Sequence, residues 1–220
     1  MSKAEKPKSG IYVYCLIRSP EEKKSFGTIG IGGEEVYTIA YRDFASVVSK
    51  AAMKSYDAGE GEVEVHKEVM GEVMKNRSVL PVAYGMVFKN KKLLSVAMKA
   101  GYKAVKKAMK TVDGRVELGI KIFLPKDAMD LDGKIDRCKL DFMGDLTKVA
   151  VDSKELKLFS DRLLLNSAFL VERNKIDEFS ARVGVLGNEY GDLKTQYSGP
   201  WPPYNFVDIH IMGKKRGGFR

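Results

Sequence analysis

The chain has 220 residues, enough for one large domain or two small ones, and is 44% hydrophobic and 30% charged. Its longest early apolar run, Ile11 to Ile17, is far short of the roughly 20 residues that a membrane-spanning helix needs. The formal net charge of +9 suggests acidic partners or a well-solvated surface and carries no information about fold.

Residues 1–10 form a basic lead with no small-residue cleavage site, expected to be disordered rather than a signal peptide. Ile11–Arg18 is rich in β-branched and aromatic residues and reads as a strand. Ser25 to Gly33 is a glycine loop, followed by short strands over Val36–Tyr41 and Phe44–Ser49. From Glu62 to Arg77 the period becomes helical, with His66, Val69, Met70 and Val73 on one stripe. Val79–Val82 and Met86–Phe88 make a strand broken at Pro81, which belongs at an edge or a strand start. Leu93 to Val112 is a second helix with lysines facing out. Val116, Leu118, Ile120 and Ile122 then alternate with Glu117, Gly119 and Lys121 as a half-buried strand. Asp127 to Phe142 is charged and weakly patterned. Asp145–Leu158 reads as a helix, Leu163–Glu172 as a strand, Ile176–Tyr190 as a helix and Leu193–Tyr197 as a strand.

This order implies an α+β protein of two small domains, each an open, mostly antiparallel sheet with helices on one face, in ferredoxin-like variants. The expected division is an N-terminal domain over 11–125, a linker over 126–144, a C-terminal domain over 145–212 and a basic tail over 213–220. Gly199-Pro200-Trp201-Pro202-Pro203-Tyr204-Asn205-Phe206-Val207 packs the only tryptophan and three of seven prolines into nine residues. It reads as a rigid aromatic corner ahead of a short strand near Phe206–Ile211, because each proline fixes φ and lacks a donor.

The chemistry-bearing motifs fail on context. Gly27-Thr28-Ile29-Gly30-Ile31-Gly32-Gly33 leads into a strand, whereas a phosphate loop opens a helix. The acidic run ending at Gly133 would place Ala128 and Lys139 at obligatory calcium-ligand positions. His66 and His210 have no ligand-spaced partner, and His66 on an apolar stripe reads as a core histidine. No nucleophile motif occurs. Cys15 and Cys138 read as free thiols, with a single disulfide as the alternative. Tyr84-Gly85-Met86-Val87-Phe88 echoes the stacking strand of an RNA-binding module, but without the preceding basic-Gly pair and aromatic spacing. An RNA-binding ferredoxin-like module is the alternative reading.

Taken together, the segments resemble the gas vesicle accessory family GvpF/GvpL. The resemblance rests on Ile11–Cys15, Gly30-Ile31-Gly32 with Val36–Ile39 and Asp43–Ser49, His66 with Val69, Val79–Phe88, Val116–Phe123, Leu164–Val171 and Gly199–Val207, all in the same order. Ala83 stands where the family has a basic residue, and the middle between Pro125 and Leu163 is short and divergent. The resemblance implies two α+β domains and a non-enzymatic, minor vesicle component. It also implies binding to the hydrophobic shell protein, help with nucleation and a place at the vesicle wall in the cytoplasm. Expected partners are the shell protein and other gas vesicle accessory proteins. Nucleic acid, cofactor, metal and small-molecule substrate are not expected.

A folded partner can shelter an apolar β-rich subunit through a strand edge or an apolar surface. The candidate residues are Val79, Val82, Tyr84 and Val87 on the broken strand, and Trp201, Tyr204 and Phe206 on the corner. For Trp201 the residue type favours a plug in its own domain core over docking.

Overall fold

The computed structural model describes residues 8–19, 23–57, 61–126 and 133–207. The chain divides into two units: one runs to Asp113 and resumes at Val207, the other is Gly114–Phe206. Each carries an antiparallel sheet with helices, so the α+β class stands.

The first unit opens with β1 (Ser9–Arg18), followed by the hairpin of β2 (Tyr37–Tyr41) and β3 (Phe44–Ala52). Next come α1 (Glu62–Met74), the two-residue strands β4 (Leu80–Pro81) and β5 (Val87–Phe88), and α2 (Lys91–Val112). The sheet order is β2-β3-β1-β4, with β5 also on β1. Alternation along β1 places the two helices on opposite faces. Ile11 and Val13 pack with Leu94, Met98 and Val105 of α2, while Tyr12 reaches His66 of α1 on the other side. This sheet is therefore covered on both faces, unlike the one-sided arrangement expected from sequence.

The second unit contains β6 (Arg115–Phe123), α3 (Lys134–Leu146), β7 (Asp152–Glu155), β8 (Leu163–Glu172), α4 (Ile176–Glu189) and β9 (Lys194–Trp201). That is βαββαβ in the order β7-β8-β6-β9, the ferredoxin-like arrangement. The inward residues of β6, β8 and β9 meet the helices: Phe179 of α4 stacks near Phe169 at 5.2 Å and near Tyr197 at 6.2 Å.

Four sequence expectations change here. The strand at 115–123 is the central strand of the second sheet, paired with β8 and β9, so it does not close the first domain at 125. The expected linker at 126–144 holds most of α3, whose Cys138, Phe142 and Leu146 recur every four residues and are buried. The helix expected over Asp145–Leu158 ends at Leu146, and Asp152–Glu155 is the edge strand β7. A short, largely exposed polar strand offers no apolar alternation to read. Of the strand expected near Phe206–Ile211, Phe206 ends a 3₁₀ turn and Val207 is in no strand, and residues 208–211 lie outside the described residues.

All four sheet edges are blunted. The outer side of β2 is taken by the preceding chain, through Phe26 N–H to the Val36 carbonyl (2.8 Å) and Thr38 N–H to the Lys24 carbonyl (3.0 Å). The β4/β5 edge consists of two dipeptides, one containing Pro81. The edge β7 is short and charged, and β9 contains Pro200. Cys15 and Cys138 are both buried free thiols, in different units.

Candidate docking surfaces

The first candidate segment, Val79–Phe88, is tied to the interior of the first unit. Gly85 N–H donates to the Tyr12 hydroxyl at 2.9 Å, and that hydroxyl lies 2.9 Å from His66 Nδ1. The backbone hydrogen bond of the imidazole to Val82 assigns its proton to Nε2, so that Nδ1 accepts from the Tyr12 hydroxyl. Tyr84 stands edge-on to Tyr12, Tyr56 and His66, with centroids 6.4, 6.3 and 5.6 Å apart. Beside them the Tyr14 and Ser49 hydroxyls meet at 2.8 Å, and Ile31 N–H donates to the Tyr14 hydroxyl at 2.9 Å.

His66 is thus a buried member of a tyrosine cluster. Burial lowers its pKa to about 4; the Val82 backbone opposes this only in part, and Nε2 forms no hydrogen bond of normal length among the described residues. Burial likewise pushes the Tyr12 hydroxyl well above the ordinary tyrosine range. The glycine loop spends its amides internally: Gly30 N–H goes to the Glu34 carbonyl, Gly33 N–H to the Gly30 carbonyl and Ile31 N–H to Tyr14.

Of the four candidates here, Val79 is buried, and Val82, Tyr84 and Val87 are half-buried. Val79 is therefore a core residue. Two-residue strands broken by Pro81 also leave too short a ladder for an added strand.

The second segment, in the other unit, is different. β9 carries the chain to Trp201, opposite Glu117 on β6, on the sheet face that the helices leave uncovered. Glu117 is buried and clamps the corner: Asn205 N–H donates to Oε2 at 2.8 Å and Asn205 Nδ2 to Oε1 at 2.6 Å. Lys154 Nζ donates to the Asn205 carbonyl at 2.6 Å and lies 5.6 Å from the Phe206 ring centroid. Burial raises the Glu117 pKa, and the two Asn205 bonds and Lys154 pull it back in part.

Phe206 folds under the corner onto Ala168, Leu170 and Leu156, and Pro202 and Pro203 are buried. Phe206 is thus a plug and not a docking group. Trp201 is 49% exposed and Tyr204 43% exposed, so the expectation that Trp201 fills its own core does not hold. With Phe206 occupying that place, the clamp holds Trp201 outward. Sequence reasoning missed Glu117, Asn205 and Lys154 as its supports. In sequence Glu117 falls in the polar phase of a regular alternation with Gly119 and Lys121, so nothing there signals its burial.

The same face bears on nucleic acid. Register places Glu117, Gly119 and Lys121 of β6 beside Leu170, Ala168 and Asn166 of β8. Stacking aromatics of an RNA-binding sheet belong at such central positions, and none stands there. Among the described residues no group of three His, Cys, Asp or Glu converges as a metal site, and no helix is long and apolar enough to cross a membrane. A pocket of about 250 Å³ in the first unit is lined by Lys24, Phe26, Glu72, Asn76 and Arg77, and contains none of the candidate residues.

Against known proteins, the family described as "Gas vesicle synthesis protein GvpL/GvpF" matches over residues 10–133 and 128–208. Gas vesicle protein F of Haloferax mediterranei is 35% identical over 214 residues, covering 94% of this chain and 98% of that protein. Gas vesicle protein F1 of Halobacterium salinarum is also 35% identical over 214 residues, covering 96% and 98%. The crystal structure of GvpF from Anabaena sp. PCC7120 superposes with a TM-score of 0.81 at 19% identity, covering 92% of this chain and 99% of that one. The crystal structure of GvpF from Microcystis aeruginosa gives 0.79 at 20% identity, covering 91% and 99%.

Proposed function

Because the chain belongs to the GvpL/GvpF family of gas vesicle synthesis proteins, we propose that it binds the small hydrophobic shell protein during vesicle assembly. It shelters that protein's apolar surface and assists nucleation without catalysis. Other gas vesicle proteins are its expected neighbours, and the vesicle wall its place of work.

The observation that carries this reading is the exposure of Trp201 and Tyr204 on a corner pinned by Glu117. Large aromatics held outward by a rigid frame lose little entropy on docking and bury much area. The blunted edges argue that capture is made by side chains and not by a shared β-ladder.

Co-expression with the shell protein provides the test. The full chain should keep the shell protein in the supernatant and retain it on pull-down. Trp201→Ala with Tyr204→Ala should weaken retention by about thirtyfold, the effect of losing one hot spot, with an unchanged thermal melt. If the shell protein pellets equally with and without the chain, the sheltering role is wrong. If the double variant retains it fully, the corner is not the surface.

Clamp and anchor are separable. Glu117→Gln keeps the volume but turns one acceptor into a donor facing Asn205 Nδ2. Retention should fall at least several-fold while the secondary structure seen by circular dichroism is preserved, because a freed corner must be ordered again on binding.

A further inference from the structure

α2 has two different sides. Leu94, Ala97, Met98, Val105 and Met109 are buried in the first unit's core. The opposite side is exposed, and over its 22 residues the helix carries seven lysines, no arginine and no acidic residue. At 100° per residue, Lys92, Lys99, Lys103 and Lys110 fall within one narrow row on the solvent side. Only Lys106 among the helix's lysines has an ion-pair partner among the described residues, Asp43 at 3.9 Å.

A second row runs beside the lysines. Leu93 and Val96 are 47% and 48% exposed, and Ala100 and Ala104 continue the line at helical spacing. Leu93 and Val96 thus stand on the turns between Lys92 and Lys99, so the lysine row has an apolar neighbour. Leu93, Val96 and Ala100 have the three- and four-residue spacing of a coiled-coil seam, and Lys92, Lys99 and Lys106 have the seven-residue spacing of its flanking charges.

We propose that the exposed face of α2 is a docking strip for an acidic amphipathic helix of a partner protein. The apolar row takes the partner's apolar row, and the lysines take its carboxylates. Charge complementarity selects the partner's sign, because the helix carries seven lysines and no acidic residue of its own. The same residues argue against a nucleic acid. Phosphate-reading surfaces use arginine forks and rows of exposed aromatics between the cations; the helix itself has no arginine, and its one aromatic, Tyr102, is half-buried with its hydroxyl donating to Asp43. α2 belongs to the first unit and the Trp201 corner to the second, and this reading is argued from residues of α2 alone.

The test uses the full chain and two labelled peptides, read by fluorescence anisotropy. One is a helical peptide with leucine at seam positions and glutamate flanking it; the other is a scramble of the same composition. A single-stranded oligonucleotide is the third probe. The ordered peptide should bind at least about tenfold tighter than the scramble, and should weaken as salt rises from about 50 to about 500 mM. Lys99→Glu with Lys103→Glu should abolish binding, and Val96→Asp should weaken it by about tenfold, in proteins with wild-type melting curves. Equal binding of peptide and scramble would overturn the proposal, as would tighter binding of the oligonucleotide or no binding at low salt. Persistence of binding in the Lys99/Lys103 variant would overturn it too. Loss of shell-protein retention in the Trp201/Tyr204 variant with peptide binding intact would show the two surfaces to be independent, as proposed.

Discussion

Lowering the pH from 7 to 4 should remove about 3 kcal/mol of stability through His66 alone. In the folded chain this imidazole is held at about 4 by burial among Tyr12, Tyr14 and Tyr84. In the unfolded chain it titrates near 6.5. The neutral ring is the form the fold keeps, so its contribution is fully present above 6.5 and is lost as the pH falls toward 4. Denaturant unfolding at stepped pH should show this slope in the first unit. His66→Asn offers Oδ1 to the Tyr12 hydroxyl and has no proton to gain. It should start less stable at pH 7 and lose about 3 kcal/mol less between pH 7 and 4. Equal slopes in the two proteins would show that His66 is not the titrating group. Glu117 works the other way. Its folded pKa is raised, so its protonation favours the fold, and that gain disappears as the pH rises through the folded pKa.

Gly199→Ala should cost about 2–4 kcal/mol and displace the corner. Gly199 has φ +119, outside the range open to residues with a Cβ. An added Cβ would lie 2.9 Å from the Glu117 carbonyl oxygen and 3.1 Å from Leu118 Cδ2. The first of these is backbone in the central strand and cannot yield cheaply. Calorimetry should show the loss in the second unit's transition, and quenching of the single tryptophan should report the altered corner. An unchanged melt and unchanged Trp201 fluorescence would show that this backbone conformation is not required.

Much of the fold was legible because its elements bury one face at a regular period. Leu163–Glu172 and the helix beginning at Ile176 fall where the pattern places them. β7 was illegible because Asp-Ser-Lys-Glu owes its strand state to pairing with β8 and not to its own residues. The placement of β6 was ambiguous for a related reason: alternation marks a strand as half-buried but not the sheet it joins. Only the βαββαβ order assigns it to the second unit. The candidate site was half legible. Aromatic-proline density singled out the corner, but burial statistics pointed Trp201 inward. The residue that decides its direction, Glu117, lies 88 positions from Asn205 in sequence. Val79 and Phe206 were chosen by residue type, and packing assigned both to cores.

The blunted margins of both sheets also bear on how the proposed sheltering of a self-pairing, β-rich subunit would end. A carrier with a long bare strand would itself be recruited as the next rung of the growing wall. With β2 partly occupied, β4 and β5 cut short, β7 charged and β9 ending at Pro200-Trp201, the described margins are poor templates for such growth. A hold made only through side chains can be broken by the stronger, repeated pairing of subunit with subunit. On the proposed sheltering role, delivery would then need no fuel: the wall would outcompete its escort, and the escort would leave unconsumed.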